Sequence, residues 1–461
     1  MGWKILVCLE GRYSWFRSYA HSSWQKSLLG KVPAHNIARW DGRQWWSLGD
    51  GIPDEGGVVK AIAVSENGDV YAGGLFTNAT GVAVASIAKW DGRNWSPLND
   101  GIRLLSGIRG NVSALALAGN ELYVGGYFEY TGKVSSPHLA KWNISTNQWS
   151  AIRNGRANGI PGNVRAIAAS GKDVYVGGEL YSAGTVRVNN IARWDGKKWS
   201  GLGSGVGGRV NAIFIDGNNI YVAGDFSAAG GVAADKIAKW DGRKWSGIGG
   251  GVPSDYSGQE VSTIAALNDD VYVGGNFSEI GNPINKISNF AKWDGRDWSV
   301  VGGKVNQPVL AMTVAGENIF IAGWFAKIGN LNANGVAKWD GKNWSTISSS
   351  RNAAKSIELS ASSFIVAERG EQIPTEFELL QNYPNPFNPT TLIRFGLPQD
   401  AGVKLEILNL AGRHVVTLLN ARQAAGYHDV EFNAGDLASG AYFYRLTAGN
   451  FSAMKKLMLV R

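Results

Sequence analysis

A chain of 461 residues is too long for one small core, so two or more domains are expected. Its 62 glycines and its 18% of charged residues are poor for helices and well suited to turns. The net charge of +8 is spread thinly, with no run of five basic residues, which argues against nucleic-acid binding. The single cysteine and five scattered histidines offer neither a disulfide nor metal-ligand spacing, so no cofactor is expected.

Residues 1–34 precede the repeat pattern and are predicted to form an irregular N-terminal extension. Lys4 and the apolar run that follows look like the start of a signal peptide, but five apolar residues are fewer than the about 7–15 required, so we reject it. No stretch approaches the roughly 20 apolar residues of a membrane span. The abrupt start of the repeats at Gly30 fits either a natural half-unit or a truncated or mis-assigned N-terminus that has lost a signal peptide.

Residues 35–367 contain a repeated pair of tryptophans that flank a short turn. The steps between the first tryptophans are 50, 52, 52, 46, 53 and 46 residues, and a period near 50 is typical of stacked repeats. Fourteen of the 19 tryptophans belong to these pairs, and we assign them a structural role. The pairs are Trp40 and Trp45, Trp90 and Trp95, Trp142 and Trp149, Trp194 and Trp199, Trp240 and Trp245, Trp293 and Trp298, and Trp339 and Trp344.

Each repeat predicts four short strands separated by glycine and Asn/Asp turns. Four-stranded units cannot bury both faces alone, which favours an all-β propeller with the tryptophans packed between blades. Six complete sets begin at Val59, Val112, Val164, Val210, Val261 and Val309.

The ends of the repeat region are expected to combine into a seventh blade. Segments 37–40 and 45–48 read as a third and a fourth strand, and segment 354–367, which aligns without a gap on 309–322, as the missing first and second. The alternative is six blades with a frayed C-terminal segment.

The glycine pair at Val124-Gly-Gly126 and the hairpin from Trp142 to Trp149 resemble kelch repeats. Most copies shorten the hairpin to Trp-Asp-Gly-x-x-Trp, as in glycine-rich propeller repeats of bacterial surface proteins. This resemblance implies a propeller and usually a binding role, and it does not imply catalysis.

One position varies between repeats at a fixed place, directly after the second glycine. If the blades are equivalent, its residues form a ring at the ends of the second strands, where stacking faces and hydrogen-bonding groups could contact a polysaccharide or a protein loop. The alternative is that they are loop-entry residues free to vary. The six candidate ligand-binding residues are Leu75, Tyr127, Glu179, Asp225, Asn276 and Trp324.

No catalytic constellation is evident, so the chain is not expected to be an enzyme. Most aspartates of the repeats, such as Asp91, Asp195 and Asp241, recur in Asp-Gly turns, whereas a catalytic residue is needed once. The one candidate acid/base pair is Glu179 with Asp225 on neighbouring blades, an arrangement that glycosidases use.

After a linker over 368–378, residues 379–461 lack the tryptophan pattern and predict a second domain. Prolines at 384, 386 and 389 force extended or turn backbone. Six strand candidates follow, at 391–397, 403–409, 414–419, 428–433, 441–448 and 452–460, which favours a small Ig-like β-sandwich.

The motif 382–389 (NYPNPFNP), the segment 440–444 (GAYFY) and the closing KKLMLVR together resemble the type A C-terminal sorting domain of type IX secretion. The segment is more loosely similar to the Ig-like domain of flagellar hook-capping proteins. The first resemblance implies a cargo delivered to the outer cell surface or secreted, with the translocon as partner. The alternative is that two lysines merely protect an edge strand. The implied sorting residues are Pro384, Asn385, Pro386, Phe387, Lys455, Lys456 and Arg461.

The leading hypothesis is therefore a secreted or surface-displayed propeller that binds or adheres to an unknown glycan or protein. The alternative is a surface carbohydrate-active enzyme, a hydrolase or lyase, on the same scaffold. A third possibility is a non-secreted interaction protein with a merely structural C-terminal domain.

Overall fold

The computed structural model describes residues 4–10, 27–29, 32–40, 45–54, 57–154, 157–253, 258–333, 335–347, 360–367, 376–382, 385–435 and 437–460. Every regular element in these residues is a β-strand, so none of them is a helix long and apolar enough to cross a membrane. They form two compact units, one ending at Ala367 and one comprising the described residues from 376 on.

Within the described residues up to Ala367, the main elements are seven antiparallel four-stranded sheets. In spatial order, sheet 1 contains Ser360–Ala367, Lys4–Glu10, Ile37–Trp40 and Trp45–Ser47. Sheet 2 contains Val58–Val64, Val70–Leu75, Ile87–Trp90 and Trp95–Pro97; sheet 3 contains Asn111–Ala118, Glu121–Tyr127, Leu139–Asn143 and Gln148–Ala151. Sheet 4 contains Gly162–Ser170, Asp173–Leu180, Ile191–Trp194 and Trp199–Gly201; sheet 5 contains Arg209–Asp216, Asn219–Asp225, Ile237–Trp240 and Trp245–Gly247. Sheet 6 contains Glu260–Leu267, Asp270–Asn276, Phe290–Trp293 and Trp298–Ser299; sheet 7 contains Val309–Ala315, Asn318–Gly323, Val336–Trp339 and Trp344–Thr346.

Short strand pairs decorate the connections between the main strands. Most of them lie in the loop between the second and third strand of a sheet. They are Ser27–Leu29 with Val32–Ala34, Asn78–Ala79 with Val82–Ala83, Tyr130–Thr131 with Ile102–Arg103 and Val134–Ser135, Arg153–Asn154 with Ala157–Asn158, Ser182–Ala183 with Val186–Arg187, Ala228–Ala229 with Val232–Ala233, and Lys327–Ile328 with Leu331–Asn332.

Sheet 1 combines strands from both ends of the unit, but not as the sequence predicts. Segment 354–367 was expected to supply both missing strands, and this is wrong: it contributes Ser360–Ala367, while 354–359 lie outside the described residues. The second strand is Lys4–Glu10, paired with Ser360–Ala367 on one side and Ile37–Trp40 on the other. Residues 4–10 are therefore not part of an irregular extension. An apolar run too short for a signal peptide is long enough for a strand.

The first strands of successive sheets contact one another in chain order. The strand of sheet 2 contacts that of sheet 3, and so on to sheet 7. The strand Ser360–Ala367 of sheet 1 contacts the first strands of both sheet 7 and sheet 2, so the series returns to its start. The apolar clusters combine residues of adjacent sheets, as where Trp298 of sheet 6 packs with Ile237 and Ile248 of sheet 5.

Each tryptophan pair lies side by side across the third and fourth strands of its sheet, with the two ring planes inclined at 50–63°. The two residues are direct cross-strand partners, as Trp240 and Trp245 are, and the ring centroids are 5.1–5.5 Å apart. Such tilted aromatic pairs add about 0.5–1.5 kcal/mol to the area they bury.

In six of the seven pairs, all except Trp194 and Trp199, the second tryptophan also donates a hydrogen bond that ties its sheet to the preceding one. Trp95 Nε1 donates to the carbonyl oxygen of Leu48 at 2.7 Å, and Trp245 Nε1 donates to that of Leu202 at 2.7 Å. In sheet 1, Trp45 Nε1 donates to the carbonyl oxygen of Ile347, which follows the last strand of sheet 7, at 3.0 Å.

The second strands of sheets 2, 3, 4 and 6 end in a glycine pair, which has a steric cause; in sheets 5 and 7 alanine takes the first place, as Ala223 and Ala322. A Cβ at Gly177 would lie 2.6 Å from Cγ1 of Val210 in the next sheet, closer than packed carbon atoms can approach. The second glycine, Gly178, lies against the backbone of its own first strand, where a β-bulge separates Val164 from Ala166. Side chains of the next sheet therefore favour a small first residue, and close backbone approach fixes the second glycine.

The repeated aspartates are turn residues. In the hairpin between Trp240 and Trp245, Asp241 Oδ1 accepts hydrogen bonds from the backbone N–H groups of Arg243 and Lys244, each at 2.8 Å. These bonds hold the pKa of Asp241 below its usual value.

The C-terminal unit consists of two sheets that share one apolar core. Residues such as Phe395 and Tyr444, one from each sheet, are fully buried in it. One sheet contains Glu378–Leu379, Thr390–Leu397 and Gly426–Asn433; the other contains, in spatial order, His414–Gln423, Ala401–Leu408, Gly440–Ala448 and Phe451–Leu459.

Candidate binding face and sorting region

The six variable residues that follow the last glycine of the second strand occupy equivalent places, all at the same end of their sheets. Five of them are cross-strand partners of residues at the start of the first strand, and Trp324 donates its backbone N–H to the oxygen of Pro308 at 3.0 Å. We call these six residues the strand-end ring. The side of the repeat region on which they lie is called the strand-end face. The partner pairs are Leu75 with Val58, Tyr127 with Asn111, Glu179 with Asn163, Asp225 with Arg209, and Asn276 with Glu260.

The two aromatic members of the ring are open to solvent. Tyr127 and Trp324 are each 54% exposed, which is unusual for such large apolar side chains. The Tyr127 ring lies 5.5 Å from that of His138, whose pKa is lowered by burial. Both aromatic faces are therefore available for stacking.

An arginine that the sequence analysis missed joins three sheets on this face. The guanidinium of Arg209 lies 3.9 Å from Glu179 of sheet 4, 3.6 Å from Asp225 of its own sheet 5, and 3.6 Å from Glu260 of sheet 6. These side chains are 31–52% exposed, so each ion pair contributes about 0–1 kcal/mol.

Two further cations complete this charged group. Arg165 lies 3.3 Å from Glu179, and Lys236, itself buried, lies 3.2 Å from Asp225. The candidate acid/base pair of the sequence analysis is thus part of an ion-pair network in which each carboxylate contacts two cations. Comparing the first-strand positions opposite the ring between repeats would have revealed Arg209.

A cavity of about 250 Å³ is lined by the first strands of sheets 2 to 7. Its wall is mostly Ala, Ile and Leu side chains. Its polar members are Lys60, Arg165, Asn211 and Thr263, and the first three each occupy the bulge of their strand. The bulges therefore direct polar groups toward the centre of the series of sheets.

A larger cleft, of about 470 Å³, lies between sheets 6 and 7 and includes Asn276 of the strand-end ring. Its wall is rich in carboxamide and hydroxyl groups. The lining residues are Gly258, Gln259, Asn276, Phe277, Ser278, Ser288, Asn289, Lys304, Asn306, Gln307 and Pro308. No group of three or more His, Cys, Asp or Glu side chains suited to a metal occurs in the described part of the chain.

In the C-terminal unit, the proline-rich motif lies along the last strand. The backbone N–H of Phe387 donates to the oxygen of Met458 at 2.9 Å, and that of Val460 donates to the oxygen of Phe387 at 2.9 Å. Asn385 Oδ1 accepts the N–H of Met458 at 2.8 Å, and its Nδ2 donates to the oxygen of Lys456 at 3.2 Å. The buried Phe387 ring packs against Phe432.

The other predicted sorting residues are less enclosed. Pro386 and Lys456 are exposed and Lys455 is half-buried on the last strand, while Pro384 and Arg461 lie outside the described residues. The two parts of the predicted signal, distant in sequence, are thus joined by backbone and side-chain hydrogen bonds.

The segment 440–444 also contacts the start of the motif. Tyr444 is fully buried; its hydroxyl donates to the oxygen of Leu380 at 2.6 Å and accepts the N–H of Asn382 at 2.8 Å. Burial raises the pKa of Tyr444 to about 12.

Comparison with known protein families supports both units. Residues 47–208 and, overlapping them, 103–257 match the Rax2 C-terminal beta propeller domain. Residues 381–460 match the secretion system C-terminal sorting domain. The chain therefore contains an all-β, propeller-type repeat region followed by a C-terminal sorting domain.

Solved structures with similar folds are distant in sequence. PorZ, described as an essential bacterial surface component of the type-IX secretion system of Porphyromonas gingivalis, is 13% identical over 92% of this chain, with a TM-score of 0.40; the chain spans 56% of PorZ. The β-propeller domain of the Trilobed protease from Pyrococcus furiosus is 12% identical over 68% of this chain and 89% of that domain, with a TM-score of 0.41. No curated protein matches the chain.

Proposed function

We propose that this chain is a secreted or cell-surface protein that is exported by type IX secretion and binds a ligand through a seven-bladed β-propeller. The observation that carries the export part is the sorting-domain match over 381–460, together with the hydrogen bonds that join the proline-rich motif to the last strand.

Seven blades are supported by the return of the first-strand contacts to sheet 1 and by the Trp45 hydrogen bond from sheet 1 to the end of sheet 7. All seven blades have a tryptophan-flanked hairpin, and four of them, sheets 2, 3, 4 and 6, also have the glycine pair on the second strand that makes them kelch-like. The two C-terminal sheets with their common core fit an Ig-like β-sandwich.

Recognition by the translocon would use the last strand, Phe451–Leu459, whose Lys456 is exposed and whose C-terminal half is held by the motif. An exposed lysine on a terminal strand also opposes edge-to-edge pairing, so this strand can be read by one partner without aggregating.

We further propose that the propeller binds its ligand rather than transforming it. Glu179 and Asp225 are engaged with Arg209, Arg165 and Lys236, which is how an ion-pair network stabilises a surface. The strand-end ring instead offers two exposed aromatic rings and an amide, which suit stacking and hydrogen bonding.

Cell fractionation tests the export proposal. The full chain and a chain lacking 372–461 are expressed behind the same signal peptide in a host with type IX secretion, and we expect only the full chain at the surface or in the medium. Lys455→Ala/Lys456→Ala should reduce delivery, whereas Lys197→Ala/Lys198→Ala, a lysine pair in a propeller turn, should not. Unchanged delivery of the truncated chain would contradict the proposal.

A ligand screen combined with a hydrolase panel tests binding against catalysis. We expect a saturable ligand and no turnover of glycan substrates. If the full chain turns over a glycan substrate and this activity is lost in Glu179→Gln or Asp225→Asn, the binding proposal is wrong and the protein is a carbohydrate-active enzyme.

A further inference from the structure

We propose that the cleft between sheets 6 and 7 is a binding site for a sugar residue of a neutral glycan, with Trp324 as the stacking surface at its rim. This inference rests on the proposed binding function and names the site and the ligand class.

The size and place of the cleft suit such a ligand. Its volume of about 470 Å³ lies within the roughly 300–1,000 Å³ of small-molecule sites and exceeds that of the central cavity. It opens at the strand-end face, because Asn276 of the ring is part of its wall. A chain end or a branch of a polysaccharide could therefore enter without passing through the protein core.

Part of the polar wall is held in place by the fold. Asn289, 8% exposed, donates from Nδ2 to the oxygen of Val305 at 3.0 Å. Asn306 Oδ1 accepts the backbone N–H groups of Ala326 and Lys327 at 3.1 and 2.9 Å. These bonds fix side chains from both sheets, so the cleft is preorganised and little ordering free energy is lost on binding.

Another part of the wall has hydrogen-bonding capacity that the fold does not use. Oε1 of Gln259 and Oγ of Ser288 are enclosed and have no hydrogen-bond partner in the protein. Buried polar atoms in proteins are normally satisfied, and a serine hydroxyl rotates freely toward an incoming group. Rotation of the Gln259 amide and of the Ser288 side chain toward the cleft would present these groups to ligand hydroxyls, which both donate and accept.

The charge of the wall favours a neutral ligand. Lys304 is the one charged residue among the eleven that line the cleft, and it is exposed. The charged residues of the strand-end face are instead concentrated around Arg209 in sheets 4 to 6. Amides and hydroxyls supply both the donors and the acceptors that sugar hydroxyls need, whereas phosphate and carboxylate groups are typically bound by arginine or several cations, and this wall has one lysine.

Trp324 supplies the apolar contact. Its backbone N–H is bonded to the oxygen of Pro308, a lining residue, so the backbone of Trp324 lies beside the cleft wall, and the residue is 54% exposed. An indole presents one large apolar face, and the C–H groups of a sugar ring pack on such a face while its hydroxyls reach polar neighbours.

A glycan array probed with the labelled full chain is the first test. The probes are neutral oligosaccharides (cellohexaose, laminarihexaose, mannohexaose and chitohexaose) and acidic ones (oligogalacturonate and heparin fragments). We expect at least one neutral probe to bind and the acidic probes not to compete. Binding of acidic probes alone, or of no probe, overturns the proposal. If no glycan binds but a protein ligand is found by another screen, the cleft proposal fails while the proposed binding function stands.

Calorimetric titration of variants with the best neutral probe then locates the site. Trp324→Ala and Gln259→Ala should each raise Kd about tenfold or more, equivalent to a loss of about 1.4 kcal/mol. The matched controls Tyr181→Ala, an exposed aromatic outside the ring, and Gln148→Ala, an exposed strand residue of sheet 3, should change Kd less than about twofold, within the ±0.5 kcal/mol usual for surface sites.

Tyr127→Ala separates this inference from the broader one. If Tyr127→Ala abolishes binding while Trp324→Ala and Gln259→Ala do not, the propeller binds glycan elsewhere on the strand-end face. The assignment of the cleft as the binding site is then wrong. Circular dichroism of each variant establishes that the fold is retained.

Discussion

Replacing Trp245 with phenylalanine is expected to destabilise the propeller more than the same replacement at Trp199. Both tryptophans are second members of their pairs, both are buried, at 5% and 3% exposure, and both face a tryptophan partner at 5.4 and 5.2 Å. They differ in one respect: Trp245 Nε1 donates to Leu202, whereas Trp199 Nε1 is buried without a partner. The comparison therefore isolates the hydrogen bond between sheets.

The magnitude follows from the partner groups. The oxygen of Leu202 also accepts the N–H of Gly205 at 3.0 Å, so Trp245→Phe does not leave it unpaired, and the loss is that of one net hydrogen bond, about 0.5–1.5 kcal/mol. Trp199→Phe removes an unsatisfied buried donor, which offsets part of its packing loss. We therefore expect Trp245→Phe to cost about 1–2 kcal/mol more than Trp199→Phe.

Equilibrium urea unfolding of the full chain, followed by far-UV circular dichroism, measures the free energy of unfolding of each variant. We expect the same dependence on urea concentration (m-value) for both variants. Fluorescence is unsuitable because each variant removes a tryptophan. Equal losses, or a larger loss for Trp199→Phe, would refute the idea that indole hydrogen bonds tie neighbouring sheets.

Three further predictions concern packing and charge. Gly177→Ala should destabilise the propeller by about 1–3 kcal/mol because its Cβ would overlap a valine of sheet 5, whereas Gly201→Ala in the same sheet 4, with its nearest neighbour 3.6 Å away, should be near neutral in thermal unfolding. Tyr444→Phe should cost about 1–3 kcal/mol in urea unfolding because it removes two hydrogen bonds, and Tyr442→Phe, which loses one exposed bond, should cost less; equal costs would contradict the role assigned to the buried hydroxyl. Hydrogen bonds from lysine and arginine hold the pKa of the buried Glu406 below its usual value, so its contribution to stability is present above the unfolded-state pKa and is lost as pH falls through the lower folded pKa; Glu406→Gln should weaken this acid dependence, and an unaltered pH profile of the urea midpoint would count against it.

The architecture was largely predictable because its determinants are local and repeated. Cross-strand tryptophans and turn aspartates recur about every 50 residues, and each copy gives the same hairpin. The second strand of sheet 1 was not predictable in this way. Lys4–Glu10 is one apolar run among many, and its paired residues are 29 or more positions away on one side and 350 or more on the other. Nothing local in a strand specifies such partners.

The binding face was predictable only in part. Comparison between repeats finds Trp324 and Asn276, because the end of the second strand is marked in both by a glycine, Gly323 or Gly275. Arg209 was missed because only the second strands were compared between repeats, and the cross-strand partner of Asp225 lies on the first strand. The cleft is built from loops of two sheets, whose approach depends on packing rather than on any pattern in one segment.

The strand Ser360–Ala367, which pairs with Lys4–Glu10 at one edge of sheet 1, comes from the far end of the repeat region. A ribosome must therefore translate almost that whole region before the sheet containing Lys4–Glu10 can be completed. A polypeptide cut short by a premature stop codon lacks this strand, and it also lacks the sorting segment that begins at residue 381. Sheet 1 can therefore be completed, and the C-terminal sorting domain can be present, only in a chain that has been synthesised to full length.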